Sequence, residues 1–158
     1  YFKVLKHPIK SQGEIYFDVN IGLLWQTEQP IYSALLLKKS GLFTENDTGD
    51  SQEIKGASAI SQVLLNIMSG DSEKLAENFI INNSVAEHCL SLTPKLPQLA
   101  KIINNVQLCH IDNPEINQQN LNDINHIVLH ELSGNRTEIT LQLTPMPMLP
   151  EAVRARLQ

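Results

Sequence analysis

The chain has 158 residues, 42% of them hydrophobic and 18% charged, which suffices for one domain with its own core and excludes a disordered chain. Its net charge is −5 and its 12 Lys and Arg residues are scattered, so it carries neither a basic nucleic-acid stripe nor a polybasic membrane patch. No run of about 18 apolar residues exists, which excludes a membrane-spanning helix, and two cysteines are too few for a disulfide framework or an all-cysteine zinc site.

The first third reads as short strands. Residues 11–18 alternate, with Ile15 and Phe17 on one side and Glu14, Tyr16 and Asp18 on the other. Gly13 inside that run predicts a bend or bulge. Residues 21–28 alternate again, Leu23 and Trp25 opposed by Gln26 and Glu28, and Pro30 ends the run. Residues 32–39 form a third, leucine-rich strand with Leu35 and Leu37 on the inward phase. Lys39-Ser40-Gly41 is a turn signal and a fourth strand starts at Leu42. Residues 46–52 read as a polar loop. Asn46, Asp47 and Asp50 resemble a fragment of a calcium loop, but the ligand order and terminal Glu are missing, so a solvated loop is expected.

The period then changes. Residues 57–69 place Ile60, Val63, Leu64, Ile67 and Met68 at helical spacing, with Ser58 as N-cap and Gly70 as stop. Asp71 caps a second short helix that presents Leu75 and Phe79 on one face. Strands resume at residues 87–93, with Leu90 and Leu92 inward, and Pro94 and Pro97 bracket a turn. Residues 96–103 read as a helical turn and 104–111 as a strand with Val106 and Leu108 inward. Residues 112–123 are a polar, Asn/Gln-rich loop. Residues 126–132, with Ile127 and Leu129 inward, and 137–143, with Ile139 and Leu141 inward, flank the hairpin turn Ser133-Gly134-Asn135-Arg136. Residues 144–150 are irregular and 151–157 form a short helix. The sum is a mainly β (α+β) domain with a helical insertion after the fourth strand. An apolar sheet face needs a cover, and a cover of two short helices leaves room for an apolar cavity.

Residues that could carry chemistry have plainer readings. His126 and His130 share one side of a strand but lie about 13 Å apart end to end, too far for one metal ion. Cys89 and Cys109 sit on the polar phase of two strands. If the register sets them opposite one another, a cross-strand disulfide follows in an oxidising compartment; otherwise they are separate thiols. A cysteine nucleophile with His88 or His110 as base is disfavoured, because strand neighbours point to opposite faces. Gly-x-Ser-x-Gly, phosphate-loop and dinucleotide motifs are all missing, so no catalytic residue, metal or cofactor is expected.

An ordered set of motifs adds a resemblance. Gly22-Leu23-Leu24-Trp25-Gln26-Thr27-Glu28-Gln29-Pro30 resembles the early strand motif of the LolA superfamily, the outer-membrane lipoprotein carriers of Gram-negative bacteria and their relatives. Ser69-Gly70-Asp71 with Leu75 and Phe79, then Leu92-Thr93-Pro94-Lys95, then Gly134-Asn135-Arg136-Thr137-Glu138-Ile139 are similar to later family segments, in the family's order. The wording looks closest to a LolA-like subgroup, some of it associated with lipid or aryl-polyene export.

The resemblance implies one domain over residues 1–158, lacking a signal peptide and the family's first helix. It implies an incomplete antiparallel β-barrel, or strongly curved sheet, with short helices as a lid over an apolar cavity. It also implies a periplasmic monomeric carrier, not an enzyme, that binds the acyl chains of a lipoprotein or other lipid and passes them from an inner-membrane donor protein to an outer-membrane acceptor. The inward phase of the strands would line the cavity, from Ile15, Phe17, Leu23 and Trp25 through to Ile139 and Leu141. Ile60, Leu64, Ile67, Met68 and Leu75 would form the lid. The alternative is a peptide- or protein-binding module on the same sheet, the use to which related periplasmic stress sensors put it.

Overall fold

The computed structural model describes residues 8–55, 58–84, 89–110 and 124–158, apart from the side chains of residues 58–60, 62, 63, 83 and 84. These residues build two five-stranded antiparallel sheets and a few short helices. The chain is therefore mainly β, and neither sheet closes into a barrel. Two compact units result, one of Ile9–Met68 with Pro145–Gln158, the other centred on Ser69–Thr144.

In the first unit, β1 (Gln12–Asp18), β2 (Gly22–Gln29), β3 (Ser33–Lys38), β4 (Gly41–Glu45) and β5 (Ser51–Glu53) pair in sequence order. The register slips between Gln12 and Gly13, so the glycine marks an irregularity as its position in the run suggests. A Cβ at Gly13 would run into the Gln26 carbonyl and come within 2.8 Å of Thr27 Cα, so only glycine lets β2 approach there. Helix α1 (Ser58–Ser69) follows β5 and stops where Gly70 takes φ +64°, a left-handed conformation natural to glycine.

Pairing puts Ile15 opposite Trp25, Phe17 opposite Leu23, Leu23 opposite Leu37 and Trp25 opposite Leu35. These side chains share one face because side-chain direction alternates along a strand. Leu23, Leu37 and Leu42 form its buried centre, and α1 packs Leu64, Leu65 and Met68 against them. The opposite face is apolar too. Leu24 and Leu36 are 0% and 1% exposed, and with Ala34 they meet Leu149, Val153 and Leu157 around helix α4 (Glu151–Leu157). Arg156 pins α4 down: its guanidinium donates to Gln26 Oε1 at 2.9 Å, Tyr32 Oη at 2.9 Å and Glu45 Oε1 at 2.7 Å. Beside them Tyr16 donates to Glu14 Oε2 at 2.6 Å, and the neighbouring carboxylate raises the phenol's pKa above its ordinary 10.0.

In the second unit, β6 (Phe79–Ser84), β7 (Cys89–Pro94), β8 (Ile103–Cys109), β9 (His126–Glu131) and β10 (Arg136–Thr140) form another meander. One face aligns Leu90 with Leu108 and Ile127, and Leu92 with Val106 and Leu129. Helix α2 (Ser72–Asn78) adjoins β6, and the short α3 (Pro97–Ala100) adjoins β7 and β8. Asp71 caps α2 as its position suggests, accepting the Lys74 N–H at 3.1 Å. The Lys74 ammonium, 3.0 Å from the carboxylate, and after it that backbone hydrogen bond hold the Asp71 carboxyl below its ordinary range.

Several expectations need correction. Ser51–Glu53 is a short strand on β4, not part of the loop, so the helical insertion follows the fifth strand. Ser58 is already part of the helix instead of its cap. Phe79 leaves α2 and opens β6, a strand not foreseen, whose Phe-Ile-Ile start fits a pleated surface. Ile103 opens β8 instead of closing a helical turn. The polar loop at 112–123 lies outside the described residues.

Leu36→Ala should cost about 3 kcal/mol in urea unfolding, because a fully buried leucine leaves a cavity under α4. Asp71 gives a pH signature. Its contribution is complete above the ordinary carboxylate value of 3.8 and fades as pH falls through the lower folded-state value. Asp71→Asn should therefore flatten the acid limb of a stability–pH curve between 3.8 and the lower folded-state value, with little change in its slope near neutrality.

Candidate functional site

The residues expected to line a cavity fall on one face in each sheet. In the first unit Leu23 and Leu37 are sealed, whereas Ile15, Phe17, Trp25 and Leu35 are only half-buried at the margin of the same cluster. Helix α1 covers the sealed part with Leu64, Leu65 and Met68. Ile67 on the same helix is half-buried, and the side chain of Ile60 lies outside the described residues. The result is an apolar strip, one side closed under a helix and the other meeting solvent. The lone tryptophan stands in the open part.

The second sheet repeats the gradient. Leu90, Leu92, Val106 and Leu108 are buried, whereas Ile127, Leu129 and Ile139 are half-buried; the last strand runs over Arg136–Thr140 instead of 137–143, so Leu141, also half-buried, lies just beyond it. Leu75 is buried, but on α2, the helix beside β6. Its helix falls in the second unit, whereas the α1 residues up to Met68 fall in the first.

The other face of the second sheet is mostly polar, with the buried Val128 on it opposite Gln107. Cys89 and Cys109 stand directly opposite, their Cα atoms 4.2 Å apart, and are joined in a disulfide. His126 continues that row on β9 and Thr140 on β10, with His126 Nδ1 3.2 Å from Thr140 Oγ1. His130 lies opposite Arg136 further along. With both sulfurs bonded there is no thiol to act as nucleophile. His88 lies outside the described residues, and His110 Nδ1 is buried with no hydrogen-bond partner among them. Among the described residues no group of three or more His, Cys, Asp or Glu side chains could hold a metal ion. The Asn46–Asp50 loop is held by its own hydrogen bonds, Asn46 Oδ1 accepting the N–H groups of Thr48 and Asp50 at 3.1 and 2.8 Å. Among the described residues no helix is long and apolar enough to cross a membrane.

Leu65 was missing from the lid expected by spacing. It is adjacent to Leu64 and still reaches the cluster, because a helix stripe wider than 100° accepts neighbouring positions. Leu24 and Leu36 were missing too, and their signal was present: the unbroken runs Leu23-Leu24-Trp25 and Ala34-Leu35-Leu36-Leu37 mark strands covered on both faces. Comparison of the chain with protein-family models and with curated proteins found no match.

The disulfide closes a sequence separation of 20 residues. Chain-entropy reasoning assigns such a loop about 3 kcal/mol. Cys89→Ser/Cys109→Ser should therefore lower the urea midpoint of the second unit, read from amide exchange in β7 and β8, and leave the exchange of β2 and β3 unchanged.

Proposed function

We propose that this protein is a lipid carrier of LolA-like type, which holds an acyl chain along the apolar sheet face beside α1 and performs no chemistry on it. The observation that carries this reading is the graded burial of that face. Ile15, Phe17, Trp25 and Leu35 stay half-buried next to the sealed Leu23, Leu37 and Leu42. Contiguous apolar surface that a fold leaves open commonly marks a place where something apolar is received.

A hydrocarbon chain gains about 0.8 kcal/mol for each CH₂ it buries. A long acyl chain could thus be held by several kcal/mol and still be surrendered to a partner that buries it better. Direction then comes from a ladder of affinities, with no nucleotide needed. The half-barrel form, the periplasmic location, and the donor and acceptor proteins belong to the same proposal. They rest on the ordered motifs from Gly22-Leu23-Leu24-Trp25 to the Gly134 hairpin. The cargo is the acyl part of a lipoprotein or of another lipid.

The test is native mass spectrometry and fluorescence after delipidation, with a fluorescent long-chain fatty acid. Saturable uptake of one chain is expected, reduced about tenfold or more by Trp25→Asp or Leu64→Asp, because a carboxylate on the strip penalises the apolar guest. Circular dichroism of both variants checks that each remains folded. No saturable uptake by the wild-type chain overturns the reading and leaves the peptide-binding alternative. Uptake that neither folded variant weakens would place the chain elsewhere.

A further inference from the structure

The charges of the first sheet are sorted by face. Its strands hold Glu14, Asp18, Glu28, Lys38, Glu45 and Glu53. By register every one of them lies on the α4 side, in phase with Leu24 and Leu36. Their contacts agree. Glu14 accepts from Tyr16 Oη at 2.6 Å, Glu28 from Gln26 Nε2 at 3.3 Å and Glu45 from Arg156 at 2.7 Å, while Lys38 lies 5.5 Å from the centroid of the Phe43 ring.

The α1 side is built in three levels, none of them charged. Phe17, Leu23, Leu37 and Leu42 stand across from one another at the closed end. Ile15, Trp25 and Leu35 follow, continued by Thr44 and Gln52. At the open end Thr27 faces Ser33 on one side and Gly13, which has no side chain, on the other. Leu37 to Ser33 spans about 13 Å at about 3.3 Å per residue. Helix α1 contains no charged residue either. The charges of the flanking loops, Lys10, Asp47 and Asp50 beyond the open end and Lys39 and Lys55 beyond the closed one, are exposed, where water screens them.

We propose that the guest preferred on this face is an uncharged acyl ester of the glyceride kind. The inference rests on the acyl-chain reading and names the class of lipid that reading would select. The leucines closed under α1 take the methyl end, so the head comes to lie over Thr27 and Ser33. Hydroxyls donate to an ester carbonyl and accept from a glyceryl hydroxyl, and the Gln52 amide does the same. An ionised head drawn onto this face loses water and finds no counter-charge. A free fatty acid still enters by its tail, with its carboxylate left in solvent, and is held less tightly.

The experiment titrates the whole chain with monolauroylglycerol, laurate and dodecyltrimethylammonium, each below its micelle concentration and at neutral pH. Fluorescence of Trp25, the only tryptophan, reads the affinity, and native mass spectrometry the stoichiometry. Monolauroylglycerol should bind about tenfold or more tighter than either ion. Ser33→Lys, at an exposed position beside the head, should raise laurate affinity about tenfold and leave monolauroylglycerol no tighter. Glu53→Gln makes the same change in net charge on the opposite face and should leave both unchanged. Circular dichroism checks that each variant is folded. Failure of all three amphiphiles to bind overturns the acyl-chain reading and this inference with it. Either ion binding as tightly as monolauroylglycerol overturns this inference alone, as does a folded Ser33→Lys that gains no affinity for laurate or a Glu53→Gln that gains as much.

Discussion

The constraint on which the first unit depends is that β2 and β3 are apolar on both phases of their alternation. A strand whose side chains point up and down in turn cannot hide Leu23 and Leu24, or Leu36 and Leu37, on the same side. Each face must be covered separately. Chain order provides α1 for one and α4 for the other, the latter from residues more than a hundred positions away from the strands it covers. Seven residues make a helix too short to persist alone in water. What holds α4 is the burial of Val153 and Leu157, about 1.5–3 kcal/mol per large aliphatic side chain, and the three hydrogen bonds of Arg156. The Arg156–Glu45 contact is partly buried, so its value lies less in net attraction than in fixing where the helix sits.

The two covers differ in how completely they close. Under α4 the sealed cluster takes in Leu24, Ala34 and Leu36, and half-buried aromatic side chains (Tyr16, Tyr32 and Phe43) border it. Under α1 the sealed part is three leucines from three adjacent strands, with Ile15 and Phe17 of β1 and Trp25 and Leu35 further along β2 and β3 at the border. The wet border of the α4 side includes phenol groups that hydrogen-bond to Glu14 and Arg156. The wet border of the α1 side is hydrocarbon and indole. An apolar guest lowers the free energy of the second border and has little to offer the first, which is why the carrier proposal is placed on the α1 side.

Much of this was legible in the sequence, and the failures have local causes. Period-two alternation located β1 and β2, the leucine-rich run β3 and the Lys39-Ser40-Gly41 turn signal β4, while the second apolar face of β2 and β3 went unread because unbroken apolar runs do not alternate. The cap at Asp71 and the stop at Gly70 were legible because each depends on one residue's chemistry, a side-chain acceptor or a tolerated positive φ. Strand β6 was hidden because Phe79 continues the helical spacing of Leu75, so the switch from period 3.6 to period 2 falls on a residue that satisfies both. Strand β5 carries no apolar residue, and its existence depends on pairing with β4. Helical spacing shows that Leu64 and Leu75 face something but not what, and packing places Leu64 against Leu23, Leu37 and Leu42.

The disulfide shows how the second sheet gains stability without using its apolar face. Cys89 and Cys109 occupy the polar phase, in one cross-strand row with His126 and Thr140. On that phase, apart from the buried Val128, the strands offer mainly Ser91, Asn105, Gln107 and the two histidines, groups that hydrogen-bond about as well to water as to each other and so add little net cohesion. A covalent link there acts instead on the unfolded chain, whose freedom it restricts. The apolar phase is thereby relieved of part of the task of holding β7 to β8. Ile127, Leu129 and Ile139 can remain half-buried on it without the sheet depending on their complete closure. Under the carrier proposal hydrocarbon surface has to stay accessible, and stability then has to come from somewhere other than that surface. In this chain a disulfide on one sheet and a clamped terminal helix on the other provide it.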